Sequence, residues 1–317
     1  MDPPPDPAED FRNWLELPRD LTASILLRLG AIEILTSAQW VCSPWRKLCN
    51  EPSMWLAIDM RKPGKHWKFP QLEKMCREAV DRSCGQLVDI KVEDFGTDEL
   101  LRHIADNSSQ LKRLGLVRCR GISDGGLSGV AAKLPLLEEL SISYCCTVSK
   151  EALEAVGRCC PRLKSLQFNN WFRVSKQCLE EAFAIAENMS ELRCLNLVGT
   201  FLLTNDSLQA ILDGCPHLES LDLRRCTVLS QAGTLGRCAE QIKNLRLPDD
   251  SIDDYEFKKY FFENIPGLES PLDIDFYDFD FDNIDFEVHN DLEENEDFFD
   301  WDVLLEPFKQ NDPYGLW

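Results

Sequence analysis

The sequence predicts an α/β solenoid of alternating strands and helices, preceded by a small helical module and followed by an acidic tail. Three observations support this prediction. A leucine pattern recurs at nearly constant spacing between residues 87 and 247, apolar residues fall at helical spacing within residues 14–56, and acidic residues concentrate beyond residue 248. Recurrence of one strand–helix unit is typical of a solenoid, because each unit buries its apolar face against the next.

The repeats share one register. They begin at Leu111, Leu137, Leu163, Leu192 and Leu218, with a partial copy from Leu87 and a strand-like ending at Ile242. The starts from Leu111 onwards are 26, 26, 29, 26 and 24 residues apart. Apolar residues at +3 and +5 lie on one face of a short strand. Ser or Thr at +12 suits a helix N-cap; these residues are Ser123, Ser149, Ser175, Thr204 and Ser230.

Cysteine occupies position +8 of three repeats, where a small apolar side chain suits an inward corner of the chain. These residues are Cys119, Cys145 and Cys226. Residues 70–84 form an amphipathic pattern that predicts a helix covering the first edge of the solenoid. Its apolar residues are Leu72, Met75, Cys76, Ala79 and Val80.

The helical module carries more apolar surface than about forty residues bury by themselves. Leu21, Ile25 and Leu29 fall at helical spacing behind Leu17-Pro18, and a proline is tolerated where a helix begins. Ser43-Pro44 leaves two alternatives open. Ser43 as N-cap and Pro44 at the first helical position would restart a helix, whereas Pro44 inside a helix would kink it.

Leu-Pro, a spaced Ile and Leu, Val-Cys, Trp-Arg and a terminal Trp follow one another in an order that resembles the F-box. The F-box is the helical module that docks a substrate receptor onto the Skp adaptor of an SCF ubiquitin ligase. The residues that match the docking motif are Leu17, Pro18, Leu21, Ile25, Val41, Cys42, Trp45 and Trp55. The repeats resemble the cysteine-containing leucine-rich repeat, which implies a short curved solenoid with strands inside and helices outside.

Together these resemblances point to F-box/leucine-rich-repeat proteins, close to the plant Skp-interacting-partner type. They imply a substrate-recognition subunit that holds the Skp adaptor, and through it cullin and RING subunits, while the solenoid binds a target protein for ubiquitination. The predicted segments are a disordered leader at 1–13, the F-box at 14–56, a linker and capping helix at 57–86, the solenoid at 87–247 and the tail at 248–317.

Target contact is expected from the outward positions of the concave strands, at +2, +4, +6 and +7. Trp, Tyr and Arg dominate binding hot spots. The candidates are therefore Arg118, Tyr144, Trp171 and Arg225. Trp171 occupies a cysteine position of its repeat, so an interior packing role is an equal alternative.

The tail holds almost all of the net charge. Residues 249–317 contain 23 acidic and 3 basic residues, a balance of −20 out of −21. Acids alternate there with aromatic residues, and three alternatives follow. The tail is disordered in isolation, which is the preferred interpretation, or it binds a basic partner protein, or it folds back and pairs with the basic cluster of Arg61, Lys62, Lys65 and Lys68.

The sequence contains no motif for catalysis, for a cofactor or for a metal. No cysteine pair has Cys-x2-Cys spacing, and phosphate-loop, zinc-protease and hydrolase motifs are absent. The near-neutral body predicts no nucleic-acid binding, no apolar run reaches about 18 residues as a membrane span requires, and the 14 Cys are expected to be reduced in the cytoplasm, the nucleus or both. The alternative function is a non-ligase interaction scaffold with an activation-like tail.

Overall fold

The computed structural model describes residues 17–61, 67–169, 177–200, 203–226 and 234–258. The helices are α1 Arg19–Leu27, α2 Ala31–Thr36, α3 Ser43–Cys49, α4 Phe69–Arg82, α5 Asp98–Asn107, α6 Asp124–Ala131, α7 Lys150–Cys159, α8 Gln177–Asn188, α9 Asn205–Gly214 and α10 Thr234–Gln241. The strands are β1 Ala57–Met60, β2 Asp89–Glu93, β3 Arg113–Val117, β4 Glu139–Ser143, β5 Ser165–Asn169, β6 Cys194–Asn196, β7 Ser220–Asp222 and β8 Asn244–Arg246.

The strands form one eight-stranded sheet in which every neighbouring pair is parallel and strand order follows chain order. The +3 leucines of successive repeats face one another across it. Leu114 pairs in register with Leu140, which pairs with Leu166, and all three side chains are almost completely buried. The predicted α/β solenoid is therefore confirmed, and its repeat register is correct.

The sheet begins earlier than the solenoid boundary at residue 87. β1 pairs with β2 in parallel through Ile58 and Ile90, so residues 57–60 are a strand of the sheet and not part of a linker. Strand β1 lacks the leucine pattern of the later repeats, which explains why the sequence did not show it. The amphipathic helix is confirmed as α4, and all of its predicted apolar residues are buried: Leu72, Met75, Cys76, Ala79 and Val80.

The corner cysteines are buried as predicted. The Cys226 thiol lies 3.3 Å from the Leu197 carbonyl oxygen of the preceding repeat, and Cys119 lies 3.6 Å from the Val92 carbonyl oxygen. Burial raises the pKa of Cys226 to about 12. The Cys226 thiol is thus a protonated packing group. Both thiols donate to a backbone oxygen of the preceding repeat.

Ser123, Ser149 and Thr204 are the N-cap residues of α6, α7 and α9, as predicted, and two of them form the capping hydrogen bond. The Ser123 hydroxyl accepts the Gly126 N–H at 3.0 Å, and the Thr204 hydroxyl accepts the Ser207 N–H at 3.2 Å. Ser149 precedes α7 but its hydroxyl donates instead to Asp124 of the preceding repeat at 2.6 Å. Ser175 and Ser230 lie outside the described residues.

The helical module and the solenoid share one hydrophobic core, which runs without interruption from Leu26 to Ile242. Among the described residues, no single helix is long and apolar enough to cross a bilayer. The segments Arg19–Leu27 and Ala31–Trp40 meet the length and composition criteria only as a pair, and they are bent by 115°.

Candidate docking surfaces

Helix α1 has one buried and one exposed apolar face. Thr22 and Leu26 point into the core, whereas Leu21 is 50% exposed and Ile25 is 38% exposed. Pro18 precedes the helix in an extended conformation, and its carbonyl oxygen accepts the Thr22 N–H at 3.0 Å. The proline therefore starts the helix without disturbing it, as the sequence predicted.

Exposed apolar side chains concentrate in this module. Of the nine large apolar residues exposed in the described part of the chain, six lie between residues 21 and 56. They are Leu21, Ile25, Leu27, Leu29, Val41 and Leu56. Val41 is the most exposed of them, at 59%. A concentration of apolar surface in a small region is typical of a protein interface.

The other residues of the predicted docking motif differ in accessibility. Pro18 is exposed, and Leu17, Cys42 and Trp45 are partly exposed. Trp45 also packs against the core, so only part of its ring faces outward. A partner could therefore reach all four of these side chains.

Trp55 requires a correction. The sequence grouped it with the docking residues, but its side chain is only 1% exposed. Its indole N–H donates to the Cys49 carbonyl oxygen at 2.8 Å, and the Arg82 guanidinium lies 5.5 Å from the ring centroid. Trp55 therefore joins the module to α4 and offers no surface to a partner.

The Ser43-Pro44 dipeptide lies in the first turn of α3, whose N-cap is Cys42 and not Ser43. Cys42 adopts an extended conformation, with φ −162° and ψ 163°, directly before the helix. A proline in the first turn removes no intrahelical hydrogen bond. The restart alternative is thus correct in its main point, and α3 has no kink at Pro44.

Three of the predicted target-contact residues share one backbone conformation. Arg118, Tyr144 and Arg225 occupy position +7 and have φ angles of 52°, 60° and 62°. Asp94 holds the same place after β2, with φ 76°. The left-handed conformation turns the chain away from each strand, so these residues define the rim of the sheet. Trp171 lies outside the described residues.

Arg118 is partly exposed and is held by neighbouring acids. Its guanidinium lies 2.7 Å from the Asp94 carboxylate and 3.7 Å from that of Glu93. Arg225 is also partly exposed, and its backbone N–H donates to the Pro248 carbonyl oxygen at 2.9 Å. Both arginines remain candidates for contact with a target.

Tyr144 is not an accessible contact residue. It is 4% exposed because the chain beyond β8 folds back over it. Ile252, Tyr255 and Phe257 pack with Tyr144 in a small apolar cluster separate from the main core, and the Tyr144 hydroxyl donates to the Phe257 carbonyl oxygen at 3.5 Å. We call residues 249–258 the strap.

The strap corresponds to the fold-back alternative for the start of the tail. Arg61, one of the predicted basic partners, forms an ion pair with Glu256 at 2.5 Å. Lys62 and Lys65 lie outside the described residues, as do residues 259–317.

Arg224 lies at +6 of the repeat that begins at Leu218, one of the positions expected to face outward, but it was not among the predicted contact residues. It is only 4% exposed and donates to Asp222 at 2.7 Å, to the Ser251 carbonyl oxygen at 2.7 Å and to Asp254. These carboxylates raise the pKa of Arg224 and keep it charged, while Arg224 lowers the pKa of Asp254. Long-range pairing of this kind has no signal in a single sequence.

Among the described residues, two hollows of the concave face lie beside the strap, and the larger one is mainly polar. The larger has a volume of about 750 Å³ and is lined by residues such as Gln167, Asn196 and Lys243. The smaller, of about 260 Å³, has Gly115 and Ser141 on its floor and Glu256 on its wall. Within the described residues no group of three or more His, Cys, Asp or Glu side chains could hold a metal ion.

The geometry thus defines a class of protein with two candidate binding surfaces, an exposed apolar patch on a helical module and one face of a parallel sheet. The chain is 46% identical to the F-box protein SKIP19 of Arabidopsis thaliana over 294 residues, 92% of this chain and 93% of that protein. It is 52% identical to F-box/LRR-repeat protein 23 of the same plant over 247 residues, which are 77% of this chain and 55% of that relative. The chain belongs to the F-box/leucine-rich-repeat family.

No family model matches the chain. The yeast complex of Rad7 and Elc1 contains a chain that is 21% identical, with a TM-score of 0.36 over 64% of this chain and 46% of that one, which is a distant likeness.

Proposed function

We propose that this protein is the substrate-recognition subunit of an SCF-type ubiquitin ligase. The observation that carries the proposal is the exposed apolar surface of Leu21, Ile25 and Val41 on a module that shares its core with the solenoid. The module docks the Skp adaptor through this surface, and the adaptor links it to cullin and RING subunits. The 46% identity with the F-box protein SKIP19 supports this assignment.

The proposed role is non-catalytic. A receptor of this kind accelerates ubiquitin transfer by holding a target lysine close to the charged conjugating enzyme, which raises its effective concentration. The continuous core between module and solenoid suits this role, because it fixes the direction in which a bound target points. Strand β1 follows the module directly, and the Arg82 guanidinium on α4 donates to Gln39 of the module at 3.0 Å.

The target surface in this proposal is the concave face of the sheet. Arg118 and Arg225 are retained as contact residues on the rim, and the larger hollow adds polar groups such as Gln167 and Asn196 on the sheet. A target protein is bound there, and the location of the complex is the cytoplasm, the nucleus or both.

The test is binding of the purified Skp adaptor to the full chain, measured by calorimetry. Replacement of Leu21 and Val41 by Ala should weaken adaptor binding at least tenfold and leave the melting temperature unchanged, because both side chains are largely exposed. Phe183→Ala is the matched control, since Phe183 is also exposed, at 40%, but lies on solenoid helix α8. This control should bind the adaptor like the wild type.

Two results would contradict the proposal. The wild-type chain could fail to bind the adaptor, which would favour the non-ligase scaffold with an acidic tail. Alternatively, the double variant could bind as tightly as wild type while Phe183→Ala does not, which would place the docking surface on the solenoid.

A further inference from the structure

The strap contacts the concave face through a strict alternation of acidic and aromatic residues. Asp254 and Glu256 are about half exposed, whereas Tyr255 and Phe257 are each 7% exposed. The acids therefore lie outward beside cations, and the rings lie inward against the solenoid. Residues 254–257 read acid–aromatic–acid–aromatic.

The rings enter an apolar hollow at the rim of the sheet. Val117, Tyr144 and Val198 form its lining, and they come from three different repeats. Asn169 donates its amide to the Tyr255 hydroxyl, and the rings of Tyr255 and Phe257 meet edge to face at 5.8 Å. The hollow therefore recognises both the shape of an aromatic pair and one phenol hydroxyl.

Cations flank this hollow on both sides. Arg224 pairs with Asp254 and has its guanidinium 5.9 Å from the Tyr255 ring centroid. Arg246 lies 3.4 Å from the other oxygen of Asp254, and Arg61 holds Glu256 at 2.5 Å. The charge pattern of the surface is thus complementary to that of the segment which occupies it.

The same four-residue pattern recurs in the sequence. The full pattern recurs once, at residues 278–281, which read Asp-Phe-Asp-Phe. Residues 285–288 and 300–303 share its first three positions and end in Val, as Asp-Phe-Glu-Val and Asp-Trp-Asp-Val. We propose that the hollow is a recognition site for an acid–aromatic–acid–aromatic peptide of the target protein, and that residues 254–257 occupy it in cis as an internal mimic. This inference rests on the proposed function only in assigning the peptide to a ligase target.

The strap is suited to displacement. Its backbone hydrogen bonds include the internal ones from Tyr255 N–H to the Ile252 oxygen and from Lys258 N–H to the Tyr255 oxygen, at 2.9 and 3.1 Å. Its acids are half exposed, so solvent weakens their ion pairs with the less exposed Arg224 and Arg61. A tethered segment still competes strongly, because its effective concentration is in the millimolar range. A peptide in trans therefore binds well only when the strap is weakened.

The experiment uses a fluorescent peptide with the sequence of residues 251–258 and the full chain. Fluorescence anisotropy should show at least tenfold tighter binding to Tyr255→Ala/Phe257→Ala than to wild type. Removing the aromatic residues from the peptide should abolish binding, and replacing its two acids at the pattern positions by amides should weaken binding at least fivefold. Adding Tyr144→Ala to the double variant should remove the gain.

The control variant is Phe183→Ala, an exposed aromatic residue on α8, which should bind the peptide as weakly as the wild type does. Equal peptide binding by the wild type and the folded double variant, or no binding by either, would overturn the inference. If circular dichroism shows that the double variant is unfolded, Asp254→Ala/Glu256→Ala replaces it. This second variant should bind the peptide at least threefold more tightly than wild type, and no gain would again overturn the inference.

Adaptor binding separates this inference from the proposed function. The strap variants should bind the purified Skp adaptor like the wild type, because the altered residues lie outside the helical module. Loss of peptide binding with intact adaptor binding would overturn the recognition site alone. Absence of adaptor binding to the wild type, with the peptide gain preserved, would overturn the ligase function and leave the peptide site in place.

Discussion

The helical module and the solenoid use leucine in opposite ways. Leu21 on α1 is 50% exposed, whereas Leu140 on β4 is 1% exposed. The strand leucines Leu114, Leu140 and Leu166 are all at most 2% exposed, so the next repeats of the same chain cover their face of the sheet. Helix α1 packs on one side only. Regular apolar spacing therefore identifies a face of an element, but it does not tell whether that face is covered by the same chain.

The strongest test of this contrast is Trp55, which the sequence assigned to the exposed surface and the structure to the core. Trp55→Ala removes a 1% exposed ring and the hydrogen bond to Cys49, and it should lower the free energy of unfolding by about 3–5 kcal/mol. Urea denaturation followed by circular dichroism measures the change. Leu21→Ala is the control and should change stability by only about 0.5 kcal/mol, as for other surface substitutions.

Similar losses in the free energy of unfolding for Trp55→Ala and Leu21→Ala would contradict this contrast between buried and exposed residues. They would show either that α1 is covered in solution or that Trp55 contributes less to the junction with α4 than its burial indicates.

Trp55 also shows how much of the structure could be predicted from the sequence. The repeat register, the α/β solenoid and the amphipathic helix α4 follow from local spacing, and all were predicted. The position of Trp55, the pairing of β1 and the burial of Tyr144 depend on segments that are distant in sequence. Phe257 of the strap contacts Tyr144, although the two residues are 113 positions apart in the sequence. Local patterns carry no information about such contacts.

Thiol reactivity compares buried and exposed positions within one dipeptide of the solenoid. Cys145 is 0% exposed, and its hydrogen bond with Cys119 together with burial raises its pKa, whereas Cys146 is exposed. Iodoacetamide reacts with the thiolate. Mass spectrometry of the native chain should therefore find Cys146 alkylated at least about a hundredfold faster, equivalent to about 2.7 kcal/mol.

Full denaturant should make the two alkylation rates equal, which serves as the control. Equal native rates for Cys145 and Cys146 would mean that the corner positions open readily.

The raised thiol pKa values also predict that the fold is less stable at alkaline pH. The pKa of Cys226 is 9.0 when unfolded and about 12 when folded, so its contribution to stability is complete below pH 9 and is lost as the pH rises towards 12.

A smaller effect tests how closely the solenoid helices pack. A Cβ atom at Gly214, at the end of α9, would lie 2.1 Å from the Ala186 carbonyl oxygen of α8. Gly214→Ala should therefore lower the free energy of unfolding by about 1–3 kcal/mol. Gly129→Ala in α6 is the matched control, because nothing lies within 4 Å of its Cβ position. It should be neutral or stabilising by up to about 1 kcal/mol.

Thermal denaturation of the two glycine variants measures these changes. A destabilised Gly129→Ala, or a neutral Gly214→Ala, would contradict the prediction. Either result would show that the distance to the neighbouring helix does not determine which side-chain size is tolerated at these positions.

The smallest effect concerns Pro44, which directly precedes the predicted docking residue Trp45. Because Pro44 lies in the first turn of α3, it removes no intrahelical hydrogen bond and leaves Trp45 packed against the core. Pro44→Ala should therefore change the free energy of unfolding by less than about 1 kcal/mol, since its main effect is on the entropy of the unfolded chain. Adaptor affinity, measured by calorimetry, should change by less than about threefold, or about 0.7 kcal/mol. A tenfold or greater gain in adaptor affinity for Pro44→Ala would contradict this prediction. It would show that Pro44 weakens docking although α3 has no kink.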